Sequence, residues 1–262
     1  MDLSGRVAIV AGGSGGIGSL TVHAFLARGA SVAVAAPRDE LLDAVAAETR
    51  GYGERVLIVP ADITRRADVD ALVQATLARF GRIDVLANVA GIGSAPSLLD
   101  STDDELERAV AVNLLGAARL MHAVLPAMIA QRSGAVVNVG SIAGEAGVMG
   151  MYSASKFGLR GLSDTVRREV RAHNISVSLI EPGFVATPMN AAMRGLPSPA
   201  IVADAIVAAV TRPRRVRIVP NRYRPAVLFA KAFPGLMDLI FGHARIQERL
   251  NRDARAARAE AS

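Results

Sequence analysis

Short apolar runs alternate with longer segments of helical spacing along most of the chain. The apolar runs, which predict strands, cover residues 7–10, 31–35, 55–59, 83–87, 135–139, 175–180 and 216–219. The segments with helical spacing cover residues 17–28, 40–50, 68–80, 103–131, 153–173 and 200–210. Strands that are apolar throughout and separated by helices indicate a parallel sheet covered on both faces. The right-handed crossover rule then predicts a doubly wound α/β fold.

Two features interrupt this regular pattern. Pro126 lies within the long helical segment 103–131, and we expect a kink or a helix boundary there, because proline has no amide proton to donate. After the last predicted strand, residues 225–262 follow a different pattern, an apolar stretch and then a basic amphipathic segment. The pattern therefore predicts one domain over residues 1–224 and a helical C-terminal extension over residues 225–262.

The composition is typical of a globular protein. The chain has 262 residues, of which 51% are hydrophobic and 21% charged, which argues against disorder. It has no cysteine, which excludes disulfides, thiolate metal sites and cysteine nucleophiles. The absence of cysteine fits a reducing compartment, and we expect a cytoplasmic location. The four histidines are isolated in the sequence, so we expect no metal site.

The net charge of +6 is concentrated near the end of the chain, where residues 212–258 hold eleven arginines and one lysine against three acids. Nucleic-acid binding is not expected, because this segment lacks a recognition motif and interleaved aromatic residues. No apolar run reaches the ~18 residues that a membrane span needs. The nearest run, residues 226–242, is broken by Lys231, Pro234 and Asp238.

A glycine cluster follows the first predicted strand and opens the first predicted helix. Its phosphate-binding candidates are Gly12, Ser14, Gly15, Gly16, Ile17 and Gly18. Glycines let backbone amides approach a pyrophosphate, and a helix N-terminus favours its negative charge. Two glycine registers fit: Gly13, Gly15 and Gly18 have the general dinucleotide spacing, and Gly12, Gly16 and Gly18 have a wider spacing. The cluster predicts a dinucleotide cofactor.

The end of the second predicted strand bears on the choice of cofactor. NAD enzymes usually place a carboxylate there, but this strand ends in Ala35 and Ala36. Arg38 follows and can pair with a 2′-phosphate, whereas Asp39 is better placed to cap the next helix. We therefore favour NADP(H) over NAD(H), with solvation of Arg38 as the alternative.

Tyr152 and Lys156 lie four residues apart, on one face of a predicted helix. The chain has only three tyrosines and two lysines, so this pairing is improbable by accident. A nearby ammonium favours the phenolate and brings tyrosine closer to the acid–base range of an enzyme. Ser141, directly after the fifth predicted strand, lies at the same sheet edge, and its hydroxyl can hold a substrate oxygen for protonation by Tyr152.

These motifs, taken together over residues 4–190, resemble the short-chain dehydrogenases/reductases. The matching positions are the glycine cluster, Asp62-Ile63, Asn88-Val89-Ala90-Gly91, Asn113, Ser141, Tyr152, Lys156, Pro182-Gly183, Val185 and Thr187. The resemblance implies a single-domain Rossmann fold with a seven-stranded parallel sheet. It also implies hydride transfer between a nicotinamide cofactor and an alcohol or carbonyl carbon, in a homodimer or homotetramer.

The resemblance also implies roles for individual residues. Tyr152 would exchange the proton, Lys156 would bind the ribose and lower the pKa of Tyr152, and Ser141 would orient the substrate. Asn113 would hold a water that extends a proton relay through Lys156. The remaining matches imply cofactor contacts: Asp62 and Ile63 with adenine, Asn88, Ala90 and Gly91 in the cleft, and Pro182, Gly183, Val185 and Thr187 against the nicotinamide.

Residues near the predicted site indicate the substrate class and favour an enzyme over a non-catalytic protein. Met189 and Met193 follow the predicted nicotinamide loop, and Val148 and Met149 precede Tyr152, so we expect a small apolar ketone or secondary alcohol. A non-catalytic nucleotide sensor or scaffold on the same fold is the alternative. It is disfavoured because a sensor needs only the nucleotide cleft, and this chain retains Ser141, Tyr152 and Lys156.

The C-terminal extension leaves two interpretations open. Basic amphipathic helices bind anionic membrane surfaces, which predicts a peripheral membrane contact. Equally, the extension can pack on the sheet domain or on a neighbouring subunit with its arginines solvated, which is the commoner fate of such helices.

Overall fold

The computed structural model describes residues 2–37, 39–95, 97–190 and 193–243. Seven strands form one parallel sheet in the order β3-β2-β1-β4-β5-β6-β7. Their bounds are β1 Val7–Ala11, β2 Ser31–Ala36, β3 Val56–Pro60, β4 Val85–Asn88, β5 Gly134–Val139, β6 Ile175–Pro182 and β7 Val216–Val219. The predicted doubly wound α/β fold is confirmed, and the strand order reverses direction between β1 and β4, where such folds bind ligands.

Helices cover both faces of the sheet. Their bounds are α1 Gly16–Leu26, α2 Glu40–Thr49, α3 Arg66–Phe80, α4 Asp103–Val110, α5 Ala117–Gln131, α6 Ala143–Ala146, α7 Gly150–Glu169, α8 Ala200–Thr211, α9 Arg224–Ala232 and α10 Pro234–Phe241. In β1, Ala8 and Val10 pack toward α1, α2 and α8, while Ile9 and Ala11 pack toward α3, α5 and α7. Every residue of β1 and β4 is thus buried on one face or the other, which explains the continuous apolar runs of these central strands. The edge strands β3 and β7 are only partly buried.

Local sequence signals set several helix ends. Asp39 caps α2 by accepting a hydrogen bond from the Leu42 amide at 2.8 Å, as the sequence predicts. Thr102 and Glu105 form a capping box at the start of α4, where each side chain accepts from the other residue's amide. Gly81 ends α3 in the left-handed conformation, with φ of 77°.

The predicted helix boundary does not lie at Pro126, and that half of the prediction was wrong, while the kink at Pro126 stays a prediction. Pro126 is inside α5, which runs on to Gln131. The break is a π-type turn at Ala111–Gly116, which joins α4 to α5 and carries Asn113. Such a turn widens the helix by one residue and is frequent at functional sites. No proline or glycine signal precedes it in the sequence.

The helical stretch Asp103–Gln131 is the one stretch in the described part of the chain that is long and apolar enough to cross a membrane by length and composition, with a mean hydropathy of 1.4. Its residues Leu120, Met121, Val124 and Met128 are buried in the core beneath the sheet. A core helix of a globular domain passes the same composition test, so this stretch is weak evidence for a span.

Candidate active site

The predicted site residues gather at the carboxyl ends of the strands. The glycine cluster follows β1, Asp62 follows β3, Asn88 ends β4, Ser141 follows β5, and Pro182 ends β6. Tyr152 and Lys156 reach the same edge from the first turns of α7, which begins at Gly150 rather than near residue 153. The parallel sheet therefore brings together residues that are far apart in sequence.

The glycine cluster forms a tight turn that only glycine fits at two positions. Gly12 has φ of 81°, and a Cβ atom there would lie 2.5 Å from the Ala90 Cα atom. A Cβ atom on Gly18 would overlap the Gly12 carbonyl oxygen. A Cβ atom on Gly16 would instead make ordinary van der Waals contacts, with Pro188 Cδ at 3.7 Å and Thr187 Cγ2 at 3.8 Å. The cleft thus has Gly16 on one wall and Thr187 on the other.

This cleft fits a dinucleotide. Helix α1 starts at Gly16 with Gly15 as its N-cap residue, so no side chain covers the first helical amides, which are suited to a pyrophosphate. Asn88 donates to the Asn138 carboxamide oxygen at 2.7 Å, while its own buried Oδ1 atom has no hydrogen-bond partner among the described residues. An unpaired buried acceptor in the cleft fits a donor supplied by a bound cofactor.

The adenosine end of the cleft is apolar on the β2 side. Ala35 and Ala36 are buried, and Asp39 is engaged in capping α2. Arg38 lies outside the described residues. Asp62 accepts from the Thr64 amide at 2.9 Å and from the Thr64 hydroxyl at 2.7 Å, which holds the loop after β3 in place. The neighbouring Ile63 packs against Gly116 of the π-type turn.

Tyr152 and Ser141 are in direct contact. The Tyr152 side chain is buried, and burial raises the pKa of its phenol, while a hydrogen bond with the Ser141 side chain lowers this pKa by less. The Ser141 hydroxyl oxygen also accepts from the Ala143 amide at 3.1 Å. Without cofactor, Tyr152 is therefore protonated at neutral pH, the form needed to donate a proton to a carbonyl oxygen.

Lys156 is the buried cation beneath this pair. Its Nζ atom donates to the Val139 carbonyl oxygen at 2.9 Å and lies 5.8 Å from the centroid of the Tyr152 ring. Burial lowers the pKa of Lys156 to about 8. A Cβ atom on Gly91 would lie 3.0 Å from this Nζ atom, so glycine leaves the ammonium room on the cofactor side.

Asn113 lies beside Gly91, as Lys156 does, and the polar atoms of its side chain are hydrogen-bonded to protein groups. Its Oδ1 atom accepts from the Ile92 amide at 2.9 Å, and its Nδ2 atom donates to the Ile92 carbonyl at 3.0 Å and to the Ser155 hydroxyl at 3.0 Å. Ser155 in turn donates to the Tyr152 carbonyl at 2.8 Å. Asn113 thus ties the loop after β4 to the catalytic helix, and its expected role in holding a water stays a prediction.

The predicted substrate residues surround the mouth of the site. Val148 and Met149 are partly buried just before α7, while Met189 and Met193 are about half exposed, at 50% and 45%. Met189 lies over Gly93, whose would-be Cβ atom is 3.8 Å from the Met189 Cγ atom. Their expected role in binding an apolar substrate stays a prediction.

Two residues of the site were not anticipated from the sequence. The Ser94 hydroxyl accepts from the Tyr152 amide at 2.9 Å, and Ser155 links Asn113 to α7. Isolated serines carry no spacing signal. Their positions, three residues after Gly91 and three residues after Tyr152, would have been the only indication.

Comparisons with known proteins agree with this geometry. The chain matches the family model for short chain dehydrogenases over residues 6–195. A 3-oxoacyl-acyl-carrier-protein reductase of Thermotoga maritima is 36% identical over 192 residues, 72% of this chain and 78% of that protein. An uncharacterised oxidoreductase of Staphylococcus haemolyticus is 33% identical over 230 residues, 86% of this chain and 99% of that protein.

Solved structures show the same fold. The crystal structure of levodione reductase matches with a TM-score of 0.77 at 27% identity, over 82% of this chain and 96% of that one. A short-chain dehydrogenase/reductase from Burkholderia phymatum, in complex with NAD, matches with a TM-score of 0.83 over 90% of this chain and 96% of that one. At 24% identity the second likeness concerns the fold alone.

The region matched by the family model contains the glycine turn, Ser141, Tyr152 and Lys156. The chain therefore belongs to the short-chain dehydrogenase/reductase family and is an NAD(P)-dependent oxidoreductase that acts on alcohol and ketone groups.

Proposed function

We propose that this enzyme reduces small apolar ketones with NADPH, and oxidises the corresponding secondary alcohols in reverse. The observation that carries the proposal is the arrangement of one phenol, one hydroxyl and one ammonium. Tyr152 is hydrogen-bonded to Ser141, and the Lys156 Nζ atom lies 5.8 Å from the Tyr152 ring. This arrangement serves proton transfer to a carbonyl oxygen, which a nucleotide sensor does not need.

The residues divide the chemical work. Ser141 donates a hydrogen bond to the carbonyl oxygen of the substrate and orients it toward the Tyr152 phenol. Tyr152 donates its proton to that oxygen as the alcohol forms, and Lys156 stabilises the resulting phenolate with its positive charge. The nicotinamide, when bound, supplies the hydride. Gly12, Gly16 and Gly18 are the residues that would hold its pyrophosphate, and Lys156 would bind its ribose.

The substrate class rests on the apolar mouth formed by Val148, Met149, Met189 and Met193. Unbranched thioether side chains adapt to apolar ligands of different shape. The relatives named as 3-oxoacyl-acyl-carrier-protein reductases act, by that name, on a ketone within an acyl chain. An acyl ketone and a free apolar ketone present the same reacting group to Ser141 and Tyr152, so both belong in the proposal.

The proposed cofactor preference rests on charge. Ala35 and Ala36 end β2 without a carboxylate, and Asp39 is occupied as a helix cap. The site therefore has no acid there to accept from a ribose 2′-hydroxyl, whereas Arg38 in the sequence can pair with a 2′-phosphate. NAD(H) dependence is the alternative, in which Arg38 is solvated.

Assembly and location are also proposals. Leu115 on the π-type turn and Phe157 on α7 are exposed by 44% and 63%, which favours a homodimer face along these helices.

In the extension, α9 packs on the domain through Val227 and Ala230, while the outer face is apolar and exposed. That outer face consists of Leu228, Phe229, Phe233, Leu236, Leu239 and Ile240. We propose that it contacts an anionic membrane surface from the cytoplasmic side.

Replacing Tyr152 by phenylalanine removes the proton donor without changing the shape of the site. We expect kcat for carbonyl reduction to fall by about 10²–10⁴-fold, the usual contribution of general acid–base catalysis. NADPH affinity, measured by fluorescence titration, should stay within a few fold. Tyr52→Phe is the matched control and should leave kcat unchanged. Equal turnover by Tyr152→Phe and the unmodified enzyme would contradict the proposal.

The pH dependence of carbonyl reduction should report the ionisation of Lys156. Burial lowers the pKa of Lys156 to about 8, so the residue is charged below this pH and neutral above it. A neutral amine no longer stabilises the phenolate, and kcat/KM for the cofactor should therefore fall as the pH rises through about 8. Lys231→Arg, which replaces the other lysine, should keep this profile. A kcat/KM that stays flat to well above this range would count against the role of Lys156.

A carbonyl library assayed with NADPH and NADH in parallel tests the specificity. We expect kcat/KM to be at least about tenfold higher with NADPH, since a paired 2′-phosphate is worth a charge-assisted hydrogen bond. Apolar ketones, including a 3-oxoacyl thioester, should be preferred over polyols. Arg38→Gln should lower kcat/KM for NADPH alone, and Arg50→Gln, an exposed change at the far end of α2, should not. A preference for NADH would refute the proposed cofactor, and a preference for polyols would refute the proposed substrate class.

Deleting residues 233–262 removes four of the six residues of the outer face and leaves α9, with Leu228 and Phe229, in place. We expect the unmodified enzyme to co-sediment with vesicles that contain anionic phospholipid and the deleted enzyme to remain in the supernatant. The mass measured by light scattering should be that of an oligomer in both proteins. Equal sedimentation of the two proteins would contradict the membrane contact. If the oligomer dissociates on deletion, the outer face binds a second copy of the chain instead.

A further inference from the structure

The segment that runs from Tyr223 into α9 of the C-terminal extension packs against loops of the active site. It lies beyond residue 195, where the match to the family model ends. Tyr223, just before α9, packs its ring against Gly183 in the loop after β6, where a Cβ atom would overlap the ring. Phe184 meets the same ring edge-on, with 6.4 Å between the centroids. Helix α9 then runs alongside the short helix α6.

An ionic network built on two buried carboxylates joins α9 to α6. Glu145 of α6 pairs with Lys231 of α9 and with Arg160 of α7, and its side chain is 1% exposed. Arg160 also pairs with Glu181 of β6 at 3.2 Å, and the Glu181 side chain is 2% exposed. Two buried carboxylates thus share two cations that are partly exposed, Arg160 at 25% and Lys231 at 41%.

Lys231 balances the charge of this network. Without it, the network would hold two buried carboxylates and a single guanidinium. A buried charge that has lost its partner is strongly destabilising, because the Coulomb attraction no longer offsets the loss of hydration. The environment of Glu181 agrees with this account: burial raises the pKa of Glu181 to about 7, while the charges of Arg160 and Lys231 act to lower it.

Helix α6 connects the network to the reacting groups. It has four residues, too few to be stable on its own, so its position depends on its neighbours. The Ala143 amide donates to the Ser141 hydroxyl at 3.1 Å, and the Gly144 amide donates to the Ser141 carbonyl at 3.0 Å. On its other side α6 lies so close to α7 that a Cβ atom on Gly144 would be 2.9 Å from the Lys156 carbonyl carbon.

We propose that Lys231 of the C-terminal extension is a positioning residue for catalysis, which acts through Glu145 to hold α6 and the hydroxyl of Ser141 in register with Tyr152. Lys231 touches no reacting atom. Its ion pair with Glu145 holds the helix whose Ala143 amide bonds to the Ser141 hydroxyl. The kinetic part of this inference rests on the proposed carbonyl reduction.

The test replaces Lys231 by glutamine in the full-length enzyme. Because a small displacement of a catalytic group is costly, kcat should fall by roughly tenfold or more. The dissociation constant for NADPH should stay within about twofold, since the phosphate-binding turn lies at β1, away from α6. Lys231→Arg keeps the charge and should restore most of kcat. Arg224→Gln removes an exposed charge from the same helix and should change neither quantity.

Hydrogen exchange separates this role from general destabilisation. In Lys231→Gln the amides of residues 141–147 should exchange faster, while those of α1 and β1 should be unchanged. If kcat per cofactor-binding site stays at the value of the unmodified enzyme and only the fraction that binds cofactor falls, Lys231 is merely structural and the inference is overturned. If the unmodified enzyme reduces no carbonyl, the proposed function fails. Independently of that result, unchanged hydrogen exchange at residues 141–147 in Lys231→Gln would overturn the proposed link between Lys231 and α6.

Discussion

A buried ammonium next to a buried phenol is the constraint on which the rest of the structure depends. Lys156 is 4% exposed and its Nζ atom is held by the Val139 carbonyl at the end of β5. Burial lowers the pKa of Lys156 and raises the pKa of Tyr152, so each group is pushed toward its neutral form. Their mutual interaction, together with a bound cofactor, has to work against this tendency before a phenolate can form.

The parallel sheet brings the residues of this site together. Residues from five separate strand ends meet at one edge, because the carboxyl ends of parallel strands lie at the same side of the sheet. The glycine turn after β1 and the glycine at position 91 after β4 keep the cofactor side open. On the other side Asn113 joins α7 to the loop after β4: its Nδ2 atom donates to the Ser155 hydroxyl at 3.0 Å, and its Oδ1 atom accepts from the Ile92 amide at 2.9 Å.

Most of the sheet and the central site residues could be predicted from the sequence, because both depend on short-range patterns. Apolar runs located each strand to within about two residues, and the spacing of Tyr152 and Lys156 placed them on one helical face. The capping role of Asp39 was likewise local and was confirmed. Predictions failed where the cause is not local: Pro126 was tolerated within α5, and the helix instead widened at Asn113, whose side chain is bound by Ile92 and Ser155.

The link between the extension and the site could not be predicted for the same reason. Glu145, Arg160, Glu181 and Lys231 are separated by up to 86 positions in the sequence, and their pairing is visible only after folding. A charged residue within an otherwise apolar strand, as Glu181 is in β6, was the one local sign of a buried partner. Arg38 lies outside the described residues, and its role rests on charge alone.

The ionisation of Tyr152 itself tests the central claim most directly. Ultraviolet titration of tyrosinate, as the difference between the unmodified enzyme and Tyr152→Phe, isolates this one phenol. With saturating NADP⁺ the account predicts a phenol that ionises well below the ordinary pKa of about 10, and above that value without cofactor. A Tyr152 that ionises above its ordinary pKa even with NADP⁺ bound would contradict the account.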